Sequence, residues 1–406
     1  MQFLLIHQYA GNKGDRAVLL AMVTMLRKQF ENCKIVVSTS HPELWTEKDF
    51  SGTDVSFVPS AWDFKRAKGP WFKFLQSVHK YTFTILRECY LKNIRMGRLL
   101  ANPKFFKALK ASDIVLSVGG HHFTTILSKD LVCSINYDAA VATSYRPTIC
   151  FSQSFGPFEF TNPKNRLFTQ RILNKCRLLM PREDNSRREL DAFGADGIMP
   201  TNESVITLGN VVPEFTPADE RAARIGIAIY CAQRREPDER EKYIQCIADF
   251  CDHATKLGYE ISFFPMEIKG TPPDDRGMIR EIIQRTRDGR KVSFHDEDMT
   301  SADHIREVAK CRVFVGHKTH STIFALATGT PLVGIAYHPK TQEFMEQFGV
   351  GQYAIDDKKL SSDVLIATFD RLDANVSDVS RSLHRRAEEL SARIQNDLHN
   401  AIAQTI

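Results

Sequence analysis

Short runs of β-branched and aliphatic residues alternate along this chain with longer stretches whose apolar positions recur every three or four residues. The first pattern predicts buried strands and the second amphipathic helices; their alternation predicts parallel sheets wound with helices. In the first half, strands are predicted at Phe3–His7, Lys34–Thr39, Val55–Pro59, Asp113–Val118, Thr148–Ser152 and Leu178–Pro181. Helical patterns cover Arg16–Phe30, much of 62–110, Ile126–Tyr145 and Asn165–Cys176. The rhythm breaks over residues 197–221, where Gly197, Pro200, Gly209, Pro213 and Pro217 read as a linker. A second series follows, with strands at Arg224–Tyr230, Glu260–Pro265, Lys291–Phe294, Arg312–Val315 and Pro331–Ala336. Helices at Pro237–Leu257, Pro273–Arg285, Ser301–Lys310, Thr319–Thr328 and Pro339–Phe348 separate them, and 380–404 reads as one amphipathic C-terminal helix.

The expected fold class is therefore α/β, with two doubly wound Rossmann-like domains, 1–205 and 206–406, facing a cleft. Loops at the carboxyl ends of the strands would line that cleft. The length of 406 residues suits two domains, and 43% hydrophobic with 25% charged residues excludes disordered and collagen-like chains. No apolar run approaches the length of a membrane span, and the first seven residues lack the basic flank of a secretory signal. The nine cysteines include no CxxC pair, which points to free thiols in a reducing cytoplasm rather than a disulfide framework or zinc ribbon.

Net charge is +5, but it is unevenly placed: residues 62–110 carry twelve Lys/Arg against Asp63 and Glu88, a local +10 that leaves −5 on the remainder. Ten aromatic residues are interleaved with these charges. Such a mixture suits an anionic membrane surface, where basic groups meet lipid headgroups and aromatic rings sink to the boundary. It also suits single-stranded nucleic acid, and it equally describes a solvated helix whose rings pack on their own domain. The membrane surface is the partner expected here, and nucleic acid is not.

Five strand-end loops hold the candidate chemistry. Gly11-Asn12-Lys13-Gly14-Asp15-Arg16 opens a helix, so its amides and positive end suit an anion or a sugar hydroxyl, with Asp15 either capping the helix or meeting a ligand. Gly119-Gly120-His121-His122 and Gln153-Ser154-Phe155-Gly156-Pro157 end two strands, the glycines permitting close backbone approach. Arg182 precedes Glu183-Asp184-Asn185-Ser186 at a helix start and suits a bidentate anion clamp. The densest block is Gly316-His317-Lys318-Thr319-His320, which joins an imidazole suited to proton transfer with a lysine and a helix N-terminus. Lys340, after Tyr337-His338-Pro339, adds to the same basic pocket. His317 and His320 have no carboxylate at ligand spacing, so no metal is expected.

The order of these blocks, Asn12-Lys13-Gly14-Asp15, Gly119-Gly120, Gln153-Ser154-Phe155-Gly156-Pro157, Arg182-Glu183-Asp184-Asn185-Ser186, Lys318-Thr319-His320, Tyr337 and Lys340, resembles the polysaccharide pyruvyl transferase family across about residues 1–350. The resemblance implies a GT-B-like pair of domains. It also implies transfer of pyruvate from phosphoenolpyruvate to a pair of hydroxyls on a surface-glycan precursor, with no further cofactor. Lys318 stands where that family has arginine, keeping the charge and losing the planar fork, and His121 replaces a frequent third glycine.

On that reading Arg182, Lys318 and Lys340 bind the donor in the second domain's pocket, and His320 handles one proton. Asp15 orients or deprotonates the acceptor. Asn12, Gly14, Gly119, Gly120, His121 and Gln153 are the acceptor or loop contacts, on the first domain. A lipid-linked oligosaccharide acceptor would place the enzyme in the cytoplasm, at the inner face of the cell membrane through 62–110. Two other readings stay open: a GT-B-like glycosyltransferase using a nucleotide sugar, and a non-catalytic glycan-binding protein on the same scaffold.

Overall fold

A computed structural model describes the chain apart from residues 10, 12, 42–44, 46–49, 51–53, 63–69, 127, 231–235 and 269–273 and the side chains of 70–73; the candidate Asn12 thus lies outside the described residues. The first six predicted strands form, as β1 (Gln2–Gln8), β2 (Lys34–Thr39), β3 (Val55–Val58), β4 (Ile114–Val118), β5 (Thr148–Gln153) and β6 (Leu178–Pro181). They pair in parallel in the order β3-β2-β1-β4-β5-β6. Every residue of β4 and β5 is buried, as expected when helices cover both faces of a parallel sheet. The longer helices among the described residues of this half are α1 (Lys13–Gln29), α2 (Pro70–Leu91), α3 (Pro103–Ala111), α4 (Ser134–Tyr145), α5 (Pro163–Lys175) and α6 (Asp184–Phe193).

The second half repeats the plan. Strands β7 (Arg224–Ala228), β8 (Glu260–Phe263), β9 (Val292–Phe294), β10 (Val313–Gly316), β11 (Leu332–Ala336) and β12 (Ala354–Asp356) pair in parallel in the order β12-β11-β10-β7-β8-β9. Helices α7 (Pro237–Lys256), α8 (Asp275–Arg285), α9 (Ser301–Ala309), α10 (Thr319–Ala327), α11 (Pro339–Gln347), α12 (Ser362–Asp373) and α13 (Val376–Ala403) accompany them. In each sheet the first strand lies beside the fourth, so the connections on either side run in opposite directions. A crevice opens there at the carboxyl ends, between β1 and β4 in one sheet and β7 and β10 in the other.

The compact units differ from two contiguous spans in two places. One unit comprises 1–10, 18–204 and 393–406, the other 11–17 and 205–392. The end of α13 joins the first unit because Thr201 donates to Asp397 (2.7 Å), Gln29 donates to the Gln395 carbonyl (2.7 Å) and His399 stacks on Phe30. The short edge strand β12 and helix α12 were not predicted.

The basic segment is partly core. On α2, His79, Phe83, Leu86 and Tyr90 recur at helical spacing and are buried, and Phe105 of α3 is buried with them. Phe83 and Tyr90 meet Phe168 of α5 edge-on, with centroids at 5.5 and 5.3 Å. Phe74 and Tyr81, on the other side of α2, are exposed. No described helix is long and apolar enough to cross a membrane.

Chemical denaturation separates the two faces. Phe83→Ala is expected to lower stability by about 3–5 kcal/mol, and Tyr81→Ala by less than about 0.5 kcal/mol. Equal losses would contradict the assignment of α2's inner face to the core.

Candidate active site

The second unit gathers its polar side chains at the carboxyl edge of its sheet. Gly316 ends β10 and the chain turns through His317 and Lys318 into α10. β11 likewise leads through Tyr337 and His338 into α11, whose first residue is Pro339. The two helix starts lie together, with the hydroxyls of Thr319 and Thr341 3.0 Å apart. Both helices are nine residues long, so two positive helix ends converge on one spot. Lys318 is the N-cap residue of the first of these helices and Lys340 lies in the first turn of the second, and both are buried.

Lys318 is held rather than loose. Its ammonium lies 2.9 Å from Glu267 and 3.2 Å from Asp275. Burial works against the charge, but the two carboxylates outweigh it and raise the pKa, so Lys318 stays cationic. Burial pushes the Asp275 carboxyl up, opposed by Lys318 and by the amides of Glu267 and Met266, each of which donates to it at 2.9 Å. Beside Lys318, the fully buried His317 is fixed between the Tyr243 hydroxyl (2.9 Å) and Asp357 (3.2 Å).

The start of α1 belongs to this cluster. The Lys13 amide donates to the Met266 carbonyl (3.2 Å), and Arg16 pairs with Asp298 (2.6 Å). Gly14 lies against His320 so closely that a β-carbon there would fall 2.3 Å from the imidazole Nδ1. Asp15, half-buried in the first turn of α1, is the next residue. The expectation that Asp15 acts from the first domain is thus corrected: residues 11–17 pack with the unit that holds His320. Lys13 is buried, and burial together with its charge holds the His304 imidazole well below its usual range.

The first unit has a different character at its own crevice. His7, at the end of β1, has a left-handed backbone (φ 67°), uncommon for a residue with a side chain. Its Nδ1 meets the Ser117 hydroxyl at 2.7 Å, and the Gln153 amide donates to the same hydroxyl at 2.6 Å. His122 lies 5.3 Å from the His7 ring; burial depresses both imidazoles, His122 to about 4, so both are neutral. Gly119 (φ 55°) is required as glycine, since a β-carbon would fall 2.1 Å from Val18. Gly120 follows it, and His121 bonds the Gly156 carbonyl, tying the two loops together. Arg182 is buried: it donates to Ser154 (3.0 Å) and pairs with Glu203 and Glu183. Two carboxylates already answer its charge, so acting as a donor clamp would require it to release one of them.

The structure thus brings Gly14, Asp15, Lys318, His320 and Lys340 together in one unit and Gly119, Gly120, His121, Gln153 and Arg182 in the other. Glu267, Asp275, Tyr230 and Tyr243 escaped sequence reasoning. Asp275 looks like an ordinary first-turn acid beside the capping Asp274, and only the tertiary fold carries it to Lys318. Glu267 did carry a signal, lying a few residues past β8, the strand beside β7. Among the described residues, no group of three or more His, Cys, Asp and Glu is arranged to hold a metal.

Comparison with known proteins is consistent across sequence and fold. The profile of the polysaccharide pyruvyl transferase family matches residues 12–339. The amylovoran biosynthesis protein AmsJ of Erwinia amylovora is 22% identical over 96% of both chains. In fold, the chain is similar to a Listeria monocytogenes protein described as a UDP-N-acetylglucosamine 2-epimerase, with TM-score 0.60, 13% identity, and 99% and 95% of the two chains covered. A glycosyltransferase from Rickettsia africae gives TM-score 0.57 at 10% identity, covering 98% and 97%. These structural likenesses establish a GT-B-type fold and nothing finer.

Gly14→Ala is expected to displace the His320 ring. Histidine NMR should show a shifted His320 signal, with the signals of His253 and His399 unchanged. A His320 signal identical to that of the parent protein would contradict the contact.

Proposed function

We propose that this chain, which belongs to the polysaccharide pyruvyl transferase family, transfers pyruvate from phosphoenolpyruvate to two hydroxyls of a glycan precursor, forming a ketal and releasing phosphate. The observation that carries the reading is the cluster at the second unit's sheet edge: two helix N-termini, Lys318, Lys340 and His320. Phosphoenolpyruvate brings a carboxylate and a phosphate; the fixed helix-start amides suit both, while Lys318, already paired with Glu267 and Asp275, would meet the donor by releasing one of those carboxylates. His320, on the first turn of α10, is the proposed donor of a proton to C3 of the enol. C2 then becomes electrophilic, one sugar hydroxyl adds there, and the C2–O bond to phosphate breaks. The second hydroxyl closes the ketal; of the two hydroxyl protons, one passes through a base, for which Asp15 is the candidate, to restore His320, and the other leaves on phosphate. One donor and one diol thus give one ketal and one phosphate.

The first unit is the proposed acceptor side. Its crevice offers neutral imidazoles, a serine hydroxyl and an amide, with the Arg182 charge answered by Glu203 and Glu183, which suits a sugar better than a dianion. Arg182 contributes there by holding the loops after β5 and β6 through Ser154 and Glu203, with donor contact as its further proposed role. Membrane attachment is proposed through the outer side of 62–110. Phe74, Tyr81, Ile94 and Leu99 are exposed there among Lys80, Lys92, Arg95 and Arg98, which supports binding to an anionic lipid surface at the inner face of the cell membrane.

Mass spectrometry of lipid-linked oligosaccharides incubated with phosphoenolpyruvate should show the gain of one pyruvate less water. His320→Ala should cut kcat by about 10²–10⁴-fold with little change in the apparent KM for donor, and Lys318→Arg should retain measurable turnover. A loss confined to KM in His320→Ala, or nucleotide released from a sugar nucleotide in place of phosphate, would contradict the proposal. Sedimentation with vesicles of phosphatidylglycerol and phosphatidylcholine should show binding that salt weakens and that Tyr81→Ala with Leu99→Ala reduces. Equal recovery with and without vesicles at low salt would remove the membrane role.

A further inference from the structure

The geometry points to a carbohydrate-stacking platform in the second unit, made by the outer face of Tyr337 and the cavity beside it. Tyr337 follows β11 and Tyr230 follows β7, and their rings stack with centroids 4.8 Å apart and planes 8° from parallel. Tyr230 is backed in turn by His317, at 5.4 Å, and Lys318 lies 5.8 Å over the Tyr230 ring. The His317 ring also meets Tyr337 edge-on, with centroids 6.0 Å apart. The Tyr337 ring is thus immobilised, yet it remains 42% exposed. A ring already ordered, with one face toward solvent, loses little conformational entropy when a ligand settles on it.

The adjoining cavity, about 820 Å³, is lined in part by Glu239, Lys242, Tyr243, Asp357, Lys358 and Ser362. Its two carboxylates balance its two ammonium groups, and hydroxyls complete a set that both donates and accepts hydrogen bonds. That lining matches a neutral, hydroxyl-rich ligand; a phosphate-bearing one calls for an excess of cations. The 4.8 Å contact leaves no slot for a base between the two tyrosines. A pyranose instead offers C–H groups of slight positive charge to one aromatic face, whose quadrupole is negative. The C-terminal half therefore carries a sugar subsite next to the helix starts that hold Lys318 and His320. Assigning that sugar to the acceptor glycan rests on the pyruvyl-transfer reading; the platform does not.

The test uses the full-length protein without donor, titrated with tetrasaccharides of galactose, glucose and mannose and separately with UDP, and read by saturation-transfer NMR. At least one tetrasaccharide should receive saturation at its ring protons. Its affinity should fall about tenfold or more in Tyr337→Ala and be kept in Tyr337→Phe and Tyr337→Trp, with melting temperatures confirming that all variants fold. No transfer to any tetrasaccharide, affinity indifferent to Tyr337→Ala, or Tyr337-dependent binding of UDP alone would each overturn the platform. Sugar binding that depends on Tyr337, in a protein that releases no phosphate from phosphoenolpyruvate, would leave the platform standing and remove the proposed reaction.

Discussion

The second unit's site depends on a side chain that is absent. Gly14 lets the start of α1 lie directly against the His320 imidazole, and no other residue fits without moving that ring. From this contact the neighbouring groups fall into place. Lys13 reaches the Met266 carbonyl, and the next residue, Glu267, reaches Lys318. Lys318 in turn stands at the start of α10, two residues past the end of β10, a strand that borders the crevice. A glycine, a lysine and a histidine far apart in sequence thus form one constellation at the end of a parallel sheet, where doubly wound folds place their ligands.

Charge burial explains why this constellation has a lysine. The Lys318 ammonium is a point charge with three donors, and it fits between the carboxylates of Glu267 and Asp275. A guanidinium would need a planar arrangement of acceptors, as Arg182 has in the first unit with Glu203, Glu183 and Ser154. Buried ion groups of either kind add little net stability, because desolvation offsets attraction. Their effect is to fix position. Lys318 is held at the edge of an anion site, and Arg182 holds two loops in register.

Much of the fold was legible in the sequence. Parallel sheets buried on both faces produce short continuous apolar runs, and those at Lys34–Thr39 and Leu178–Pro181 coincide with the strands residue for residue. The edge strand Ala354–Asp356 was not, because three residues are too few to show a period. The candidate loops were legible for the same reason as the strands: topology alone places them at carboxyl ends. Their mutual contacts were not. Nothing local shows that Lys13 through Ala17 pack with the second unit, or that Asp275, beside the capping Asp274, anchors a distant lysine. The aromatic residues of 62–110 carried an ambiguous signal. Helical spacing sorts Phe83 and Tyr90 into the core, whereas Phe74 and Tyr81 face outward.

A crystal structure of the protein with phosphoenolpyruvate bound tests the proposed chemistry most directly. The donor is expected at the paired first turns of α10 and α11, its acidic groups on the Lys318 and Lys340 side and its methylene carbon toward the His320 imidazole. Donor bound elsewhere, or His320 turned away from the methylene carbon in a well-occupied complex, would contradict it.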